Sequence, residues 1–213
     1  MRTGFSAPTG FVGLIVVIAL GALFTASEYR RGLIRTTLTA APRRGRVLAA
    51  KVIVIGSSVF VVALPAAAIS VLLSKHVLQA NHNLLYPVSA VTELRVIVGT
   101  VGFLAVAAIT ALALGVILRR SAGAITALVV GILLPYLFFP ALPASAAEWV
   151  LRVTPAAALS VQQTLPIYRQ VANSYTPVNG YYPLAPWAGF AVLCAYAALA
   201  LTVATFLLHR RDA

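Results

Sequence analysis

Apolar residues gather in long runs separated by short polar segments, and they do not alternate with polar residues along the chain. A helix needs about 20 mostly apolar residues to cross the hydrocarbon core of a bilayer. Five runs meet this requirement, at residues 10–27, 47–73, 96–118, 122–142 and 187–208. The pattern predicts an all-α fold, a polytopic transmembrane helical bundle of about five spans, formed by a single membrane domain over 1–213.

The composition excludes two other classes of protein. Of the 213 residues, 61% are hydrophobic and 9% are charged, with 16 Lys or Arg against 4 Asp or Glu and a net charge of +12. A disordered chain would show the opposite balance of charge and apolarity. A soluble nucleic-acid-binding protein would need more polar residues to solvate its surface, so the excess of positive charge is not evidence for a nucleic-acid partner.

The basic residues are unevenly distributed between the two sides of the predicted bundle. Eleven of the 16 lie around the first and third connections and at the C-terminus, and these are Arg30, Arg31, Arg35, Arg43, Arg44, Arg46, Lys51, Arg119, Arg120, Arg210 and Arg211. Basic residues accumulate in the cytoplasmic loops of membrane proteins. We therefore expect a multi-pass protein of the cell membrane with its N-terminus outside and its C-terminus in the cytoplasm.

Candidate catalytic chemistry is scarce. No G-x-x-x-x-G-K-[ST] loop is present, so the chain does not bind ATP by that device. His76 and His82 fall in a predicted outer loop and, like His209, have no carboxylate or cysteine at ligand spacing. The predicted spans contain no Asp, Glu or His, and the single Cys194 excludes an internal disulfide or a cysteine-based metal site. We expect no enzyme, no cofactor and no metal.

The most informative segment is 28–46, which reads E-Y-R-R-G-L-I-R-T-T-L-T-A-A-P-R-R-G-R. At 100° per residue, Arg31, Arg35 and Thr36 fall on the same arc as Glu28, and mostly apolar residues fall opposite. This pattern predicts a short amphipathic helix at the cytoplasmic membrane surface. Two interpretations stay open on the pattern alone. The segment is either a basic linker held on anionic lipids or a helix that receives force from a soluble motor.

The same segment resembles a family signature. The run E-Y-R-R-G-L-I-R-T-T-L from Glu28, then A-P-R-R-G-R-V-L-A-A-K from Ala41, resembles the signature of type-two ABC transporter permeases, particularly those of actinobacteria. The family pattern is a Glu-bearing helix end, G-x-x-x-x-T-L, P-R-x-R and a Lys that opens the next span. Two weaker similarities are T-P-A-A from Thr154, which resembles the external hairpin of the family, and the L-H-R-R-D-A ending, which resembles its usual R-R-D terminus.

The resemblance implies a function and partners. The chain would be the membrane permease subunit of an ATP-binding-cassette exporter, forming the translocation path as a homo- or heterodimer with another permease subunit. A separate ABC ATPase would bind the cytoplasmic coupling segment through Glu28, Arg31, Arg35, Thr36, Arg43, Arg44 and Arg46. The alternative is a non-transporting membrane scaffold or immunity-type protein whose basic loop binds lipid.

The position of the signature departs from the family pattern. The family has six spans with the signature between the second and the third, whereas here it follows the first predicted span. This departure agrees with the outer N-terminus inferred from charge. We expect either that a first transmembrane helix is missing from this start site or that the chain is a shortened paralogue.

The outer segment 143–186 is semi-polar, and it predicts two short helical pieces, 146–153 and 155–165, each too short to span. The resemblance implies that they are re-entrant helices over the translocation path, and an ordinary surface loop is the alternative. A possible external gate facing the cargo is formed by Gln162, Gln163 and Tyr168.

Two further expectations concern the outer side. Aromatic residues concentrate at membrane interfaces, so Tyr181, Tyr182 and Trp187 are expected to form a belt there. No charged residue lines a predicted span interior, which favours a hydrophobic or amphipathic cargo.

Overall fold

The computed structural model describes residues 7–30, 44–80, 89–138, 142–164 and 182–210, and every regular element in these ranges is helical. The elements are α1 (Ala7–Arg30), α2 (Arg44–Ala80), α3 (Ala90–Leu118), α4 (Ser121–Phe138), α5 (Ala144–Val153), a 3₁₀ helix (Pro155–Gln162) and α6 (Pro186–Arg210). The predicted all-α bundle is confirmed.

Helix α3 lies at the centre and packs against α1, α2, α4, α6 and the 3₁₀ helix. Its buried face is rich in small side chains, including Ala107, Ala108 and Ala111, all fully buried. Helices in a bilayer gain little from the hydrophobic effect and associate through close van der Waals packing, which small residues permit. The composition of α3 therefore suits a helix surrounded by other helices.

The first four helices alternate in direction. Phe11 near the start of α1 makes an edge-on ring contact with Tyr136 near the end of α4, with ring centroids 5.1 Å apart. Lys75 near the end of α2 pairs with Glu93 near the start of α3 at 2.5 Å. Only Arg119 and Arg120 separate α3 from α4, which reverses the chain direction. Consequently α1 and α3 run one way, and α2 and α4 run the other.

Helix α6 runs parallel to α3. A Cβ added at Gly102, in the first half of α3, would lie 3.3 Å from Cζ of Phe190, which is near the start of α6. Towards the other end, Ala204 shares a buried cluster with Val116. The ends of α1, α3 and α6 therefore lie on one side with the starts of α2 and α4. We call this side the basic end, and the opposite side the hairpin end.

The outer surface of the bundle is apolar. Val61 and Val62 of α2 are 67% and 72% exposed, and Val91 of α3 is 79% exposed. Among the residues that the structure describes, four helices are long and apolar enough to cross a membrane, while the apolar stretch of α1, Gly10–Phe24, is shorter. Large apolar surfaces are a liability in water and the normal surface of a protein in lipid. The fold is compatible with a multi-pass membrane protein.

Several helices extend beyond the predicted spans. Helix α3 begins at Ala90, not at residue 96, and α2 covers 44–80, not 47–73. His76 therefore lies on α2 and not in a loop. At 37 residues, α2 is about 55 Å long and extends well beyond a hydrocarbon core of about 30 Å. Polar residues beyond that core continue the helix although they do not continue the apolar run.

The fourth predicted span was too long at its end. Helix α4 ends at Phe138, and Leu142 lies in a bend. Residues 139–141 are outside the described ranges. Leu142, the last residue of the predicted span, is therefore not helical, and Pro143 directly precedes α5.

Candidate functional site

The basic end carries exposed cations from three helices. Arg46 opens α2, Arg120 precedes α4, and Arg210 closes α6, where its guanidinium lies 4.7 Å from the centre of the Phe206 ring. The two described carboxylates, Glu93 and Glu148, both lie at the hairpin end. Among the side chains that the structure describes, this end is therefore purely cationic.

The predicted coupling segment 28–46 is divided between elements. Glu28 belongs to the last turn of α1, and Arg44 and Arg46 belong to the first turn of α2. The two ends of the predicted coupling segment are thus continuations of the long helices. The other coupling residues lie outside the described ranges, and these are Arg31, Arg35, Thr36 and Arg43. Their coupling role stays a prediction.

At the hairpin end, α5 and the 3₁₀ helix enter the bundle between the long helices. The Tyr196 hydroxyl donates to the backbone carbonyl of Val153 at 3.0 Å, and Tyr196 lies ten residues into α6, about 15 Å from its start. A Cβ added at Gly131 would lie 3.9 Å from Cγ of Pro155, and Gly131 lies seven residues before the end of α4, about 10 Å inside. Ser160 bonds to the Pro186 carbonyl at the start of α6. The chain therefore descends through α5 and returns through the 3₁₀ helix.

We call α5 and the 3₁₀ helix together the re-entrant hairpin. The two short pieces predicted at 146–153 and 155–165 are confirmed, with bounds Ala144–Val153 and Pro155–Gln162. Residues 156–161 are all buried. An ordinary surface loop would leave such a segment exposed, so the 3₁₀ helix is packed into the bundle, and its re-entrant placement in a membrane stays a prediction.

Two glycines make room for the hairpin. A Cβ at Gly99 of α3 would collide with the side chain of Val161, and one at Gly189 of α6 would collide with the backbone of Ala157 and the hydroxyl of Ser160. The 3₁₀ helix thus sits against bare backbone on both sides. Small residues at these two positions are what allow a third element to enter between α3 and α6.

Gln163, at the end of the hairpin, accepts hydrogen bonds from Tyr182 and Arg95. Its side-chain carbonyl accepts a hydrogen bond from the backbone N–H of Tyr182 at 3.3 Å, and its backbone carbonyl accepts one from Nη2 of Arg95 at 2.5 Å. Gln163 is buried and Gln162 is half-buried. Tyr168 lies outside the described residues. Contact of any of these three with cargo stays a prediction.

The expected aromatic belt is only partly present. Trp187 is 57% exposed, but Tyr182 is 9% exposed and belongs to the core. Its burial raises the pKa of the Tyr182 phenol, because the charged form would lose its hydration. Tyr181 lies outside the described residues.

Arg95 is the functional candidate that the sequence did not reveal. The apolar run placed it in an outer loop, whereas it lies inside α3, is half-buried, and has a buried Nε with no hydrogen-bond partner among the described residues. The buried Oγ1 atoms of Thr100 and Thr154 also have no partner there. A weak signal was present, because Arg95 directly precedes the run V-I-V-G without a turn residue between them.

The chemistry available at the hairpin end is that of a cation with polar neighbours. The described residues contain no group of three His, Cys, Asp or Glu that could hold a metal ion.

No protein-family model, curated protein or solved structure matches the chain.

Proposed function

We propose that the chain is the membrane-spanning subunit of an ABC exporter in the cell membrane, with the basic end in the cytoplasm. The observation that supports this most directly is the two-ended arrangement of the bundle. The signature-like segment joins α1 to α2 at the basic end, and a re-entrant hairpin precedes the last long helix at the opposite end. A subunit driven by a soluble ATPase needs a contact for that motor on one side and a gate on the other.

The packing supports a mechanical route between the two ends. Gly21 of α1 lies against the backbone of Ala108, and a Cβ at Gly56 of α2 would lie 3.2 Å from Ile109. Both helices that flank the coupling segment therefore pack closely on α3. Helix α3 in turn holds the hairpin through Arg95. We propose that ATPase closure moves α1 and α2 against α3 and so moves the hairpin, alternating access to the path.

The test is association with an ATPase. The tagged protein is purified in mild detergent from its native membranes, and co-purifying proteins are labelled with azido-ATP. We expect a labelled ABC ATPase to co-purify. Arg31→Glu with Arg35→Glu should reduce its recovery by about tenfold or more, because reversed charges at an interface both remove attraction and add repulsion.

A matched control uses the same charge change at the same end. Arg119→Glu with Arg120→Glu alters the connection between α3 and α4, outside the signature-like segment, and recovery of the ATPase should stay near the wild-type level. Equal recovery with all variants would refute the coupling assignment.

A lipid-binding scaffold remains the second candidate, favoured by the exposed arginines that the structure describes at the basic end. Exposed Arg46 and Arg120 suit anionic headgroups, which attract basic juxtamembrane residues by about 1 kcal/mol each. Failure to recover any ATP-labelled partner from native membranes, together with intact binding to anionic vesicles, would favour the scaffold.

A further inference from the structure

The charges at the hairpin end leave one cation without a carboxylate. Lys75 pairs with Glu93 at 2.5 Å, and Arg152 pairs with Glu148 at 3.2 Å. These two glutamates are the only carboxylates described at this end, and both are occupied. Arg95 has no carboxylate partner among the described residues.

The surroundings of Arg95 make this charge costly. Its Nε atom is buried without a partner, and its one described hydrogen bond is from Nη2 to the carbonyl of Gln163. A neutral carbonyl does not compensate the charge of a guanidinium. Arg95 is half-buried, and removing a cation even partly from water without a counter-charge is unfavourable, so an anion beside the guanidinium would stabilise the site.

The depth of Arg95 indicates where that anion resides. About 20 residues counted back from Leu118, the last residue before the arginine connection, fill a hydrocarbon core of about 30 Å and reach Gly99. Arg95 lies four residues before Gly99 on α3, and this places it about 6 Å outside the core at the hairpin end. That distance is within the headgroup layer, whose thickness is about 5–7 Å.

We propose that Arg95 binds the phosphate of an anionic amphiphile seated at the hairpin end of the bundle. A guanidinium binds phosphate oxygens through two parallel N–H donors, and Val98, three residues nearer the core on the same helix and 38% exposed, offers an apolar contact to the acyl chain. Because Arg95 also holds the Gln163 carbonyl, a bound headgroup contacts the residue that anchors the hairpin. The proposal goes beyond the exporter proposal, because binding here requires no ATPase.

A site-directed quenching experiment tests the proposal. Val98→Cys, in a Cys194→Ala background, carries a bimane label, and the protein is reconstituted with brominated phosphatidylglycerol or brominated phosphatidylcholine. We expect stronger quenching by phosphatidylglycerol. Arg95→Gln should lower the apparent affinity for phosphatidylglycerol by about tenfold, the usual effect of losing a hydrogen bond to a charged group.

Two variants separate binding from structural support. Arg152→Gln removes a cation at the same end that already has a carboxylate, and it should leave the preference for phosphatidylglycerol unchanged. Arg95→Lys keeps the charge and should retain part of the preference. If Arg95→Gln does not fold, as judged by the emission of Trp149 and Trp187, Arg95→Lys and the wild-type lipid preference decide the question.

Competition with inorganic phosphate distinguishes whether Arg95 binds free phosphate or a lipid headgroup. If millimolar inorganic phosphate abolishes the preference, the site takes free phosphate groups; if it does not, the site requires the lipid-borne headgroup. Equal quenching by the two lipids in the wild-type protein would overturn the proposal, as would a preference that persists in a folded Arg95→Gln variant. Neither result depends on an ATPase, so this experiment tests lipid binding by Arg95 and does not test the exporter proposal.

Discussion

Gly21 lies where α1 crosses α3, and any side chain there would run into the backbone of Ala108. Gly13 lies two turns earlier on the same helix, and a Cβ added there meets nothing within 4 Å. Alanine is the better helix former by about 1 kcal/mol at an unhindered position. Overpacking against a backbone instead costs about 1–3 kcal/mol.

We therefore expect the same substitution to have opposite effects at the two positions. Gly13→Ala should be neutral or stabilising, and Gly21→Ala should lower the free energy of unfolding by about 1–3 kcal/mol. Thermal unfolding in detergent micelles, followed by tryptophan emission, measures both variants. If Gly21→Ala were as stable as Gly13→Ala, α1 would not pack on α3 in the register described.

The re-entrant hairpin depends on glycines supplied by other helices. Gly189→Ala would force α6 away from Ala157, whereas a Cβ at Gly131 would lie at an ordinary 3.9 Å from Pro155. The reporter is Ala158→Cys in a Cys194→Ala background, because residue 158 is fully buried in the 3₁₀ helix. We expect maleimide labelling of this cysteine to rise by about tenfold or more with Gly189→Ala, because a displaced hairpin exposes it by local opening.

Gly131→Ala is the matched control and should leave the labelling rate close to that of the parent protein. A slow, unchanged labelling rate in both variants would mean that the hairpin tolerates a side chain at Gly189. A fast rate in the parent protein would contradict the buried placement of the 3₁₀ helix itself.

The elements differ in how far the sequence predicts them. The long helices follow from apolar runs, and the hairpin pieces follow from Pro143 and Pro155 bounding stretches too short to span. Helix ends were placed less well, because helices such as α2 extend into polar sequence outside the hydrocarbon core. The burial of Tyr182 and Arg95 was not predictable from local pattern. Both residues donate hydrogen bonds to Gln163, which lies 68 residues from Arg95 in sequence.

At the scale of the whole molecule, the alternating helices and the charge pattern are independent of each other and agree. Helix packing alone places the C-terminal ends of α1, α3 and α6 on one side. Of the described basic residues, Arg46, Arg119, Arg120 and Arg210 lie on that same side, whereas Lys75, Arg95 and Arg152 lie at the hairpin end. Since the packing makes no use of charge, the coincidence supports the positive-inside assignment and gives each connection a definite side.

Cysteine accessibility tests that assignment. In a Cys194→Ala background, Ser89→Cys lies at the hairpin end and Ser121→Cys at the basic end. In intact cells, a membrane-impermeant maleimide should label Ser89→Cys and spare Ser121→Cys, and inverted vesicles should give the reverse. Labelling of Ser121→Cys alone in intact cells would place the signature-like segment outside the cell. No cytoplasmic ATPase could then reach it, and the exporter proposal would fail even though the fold would be unchanged.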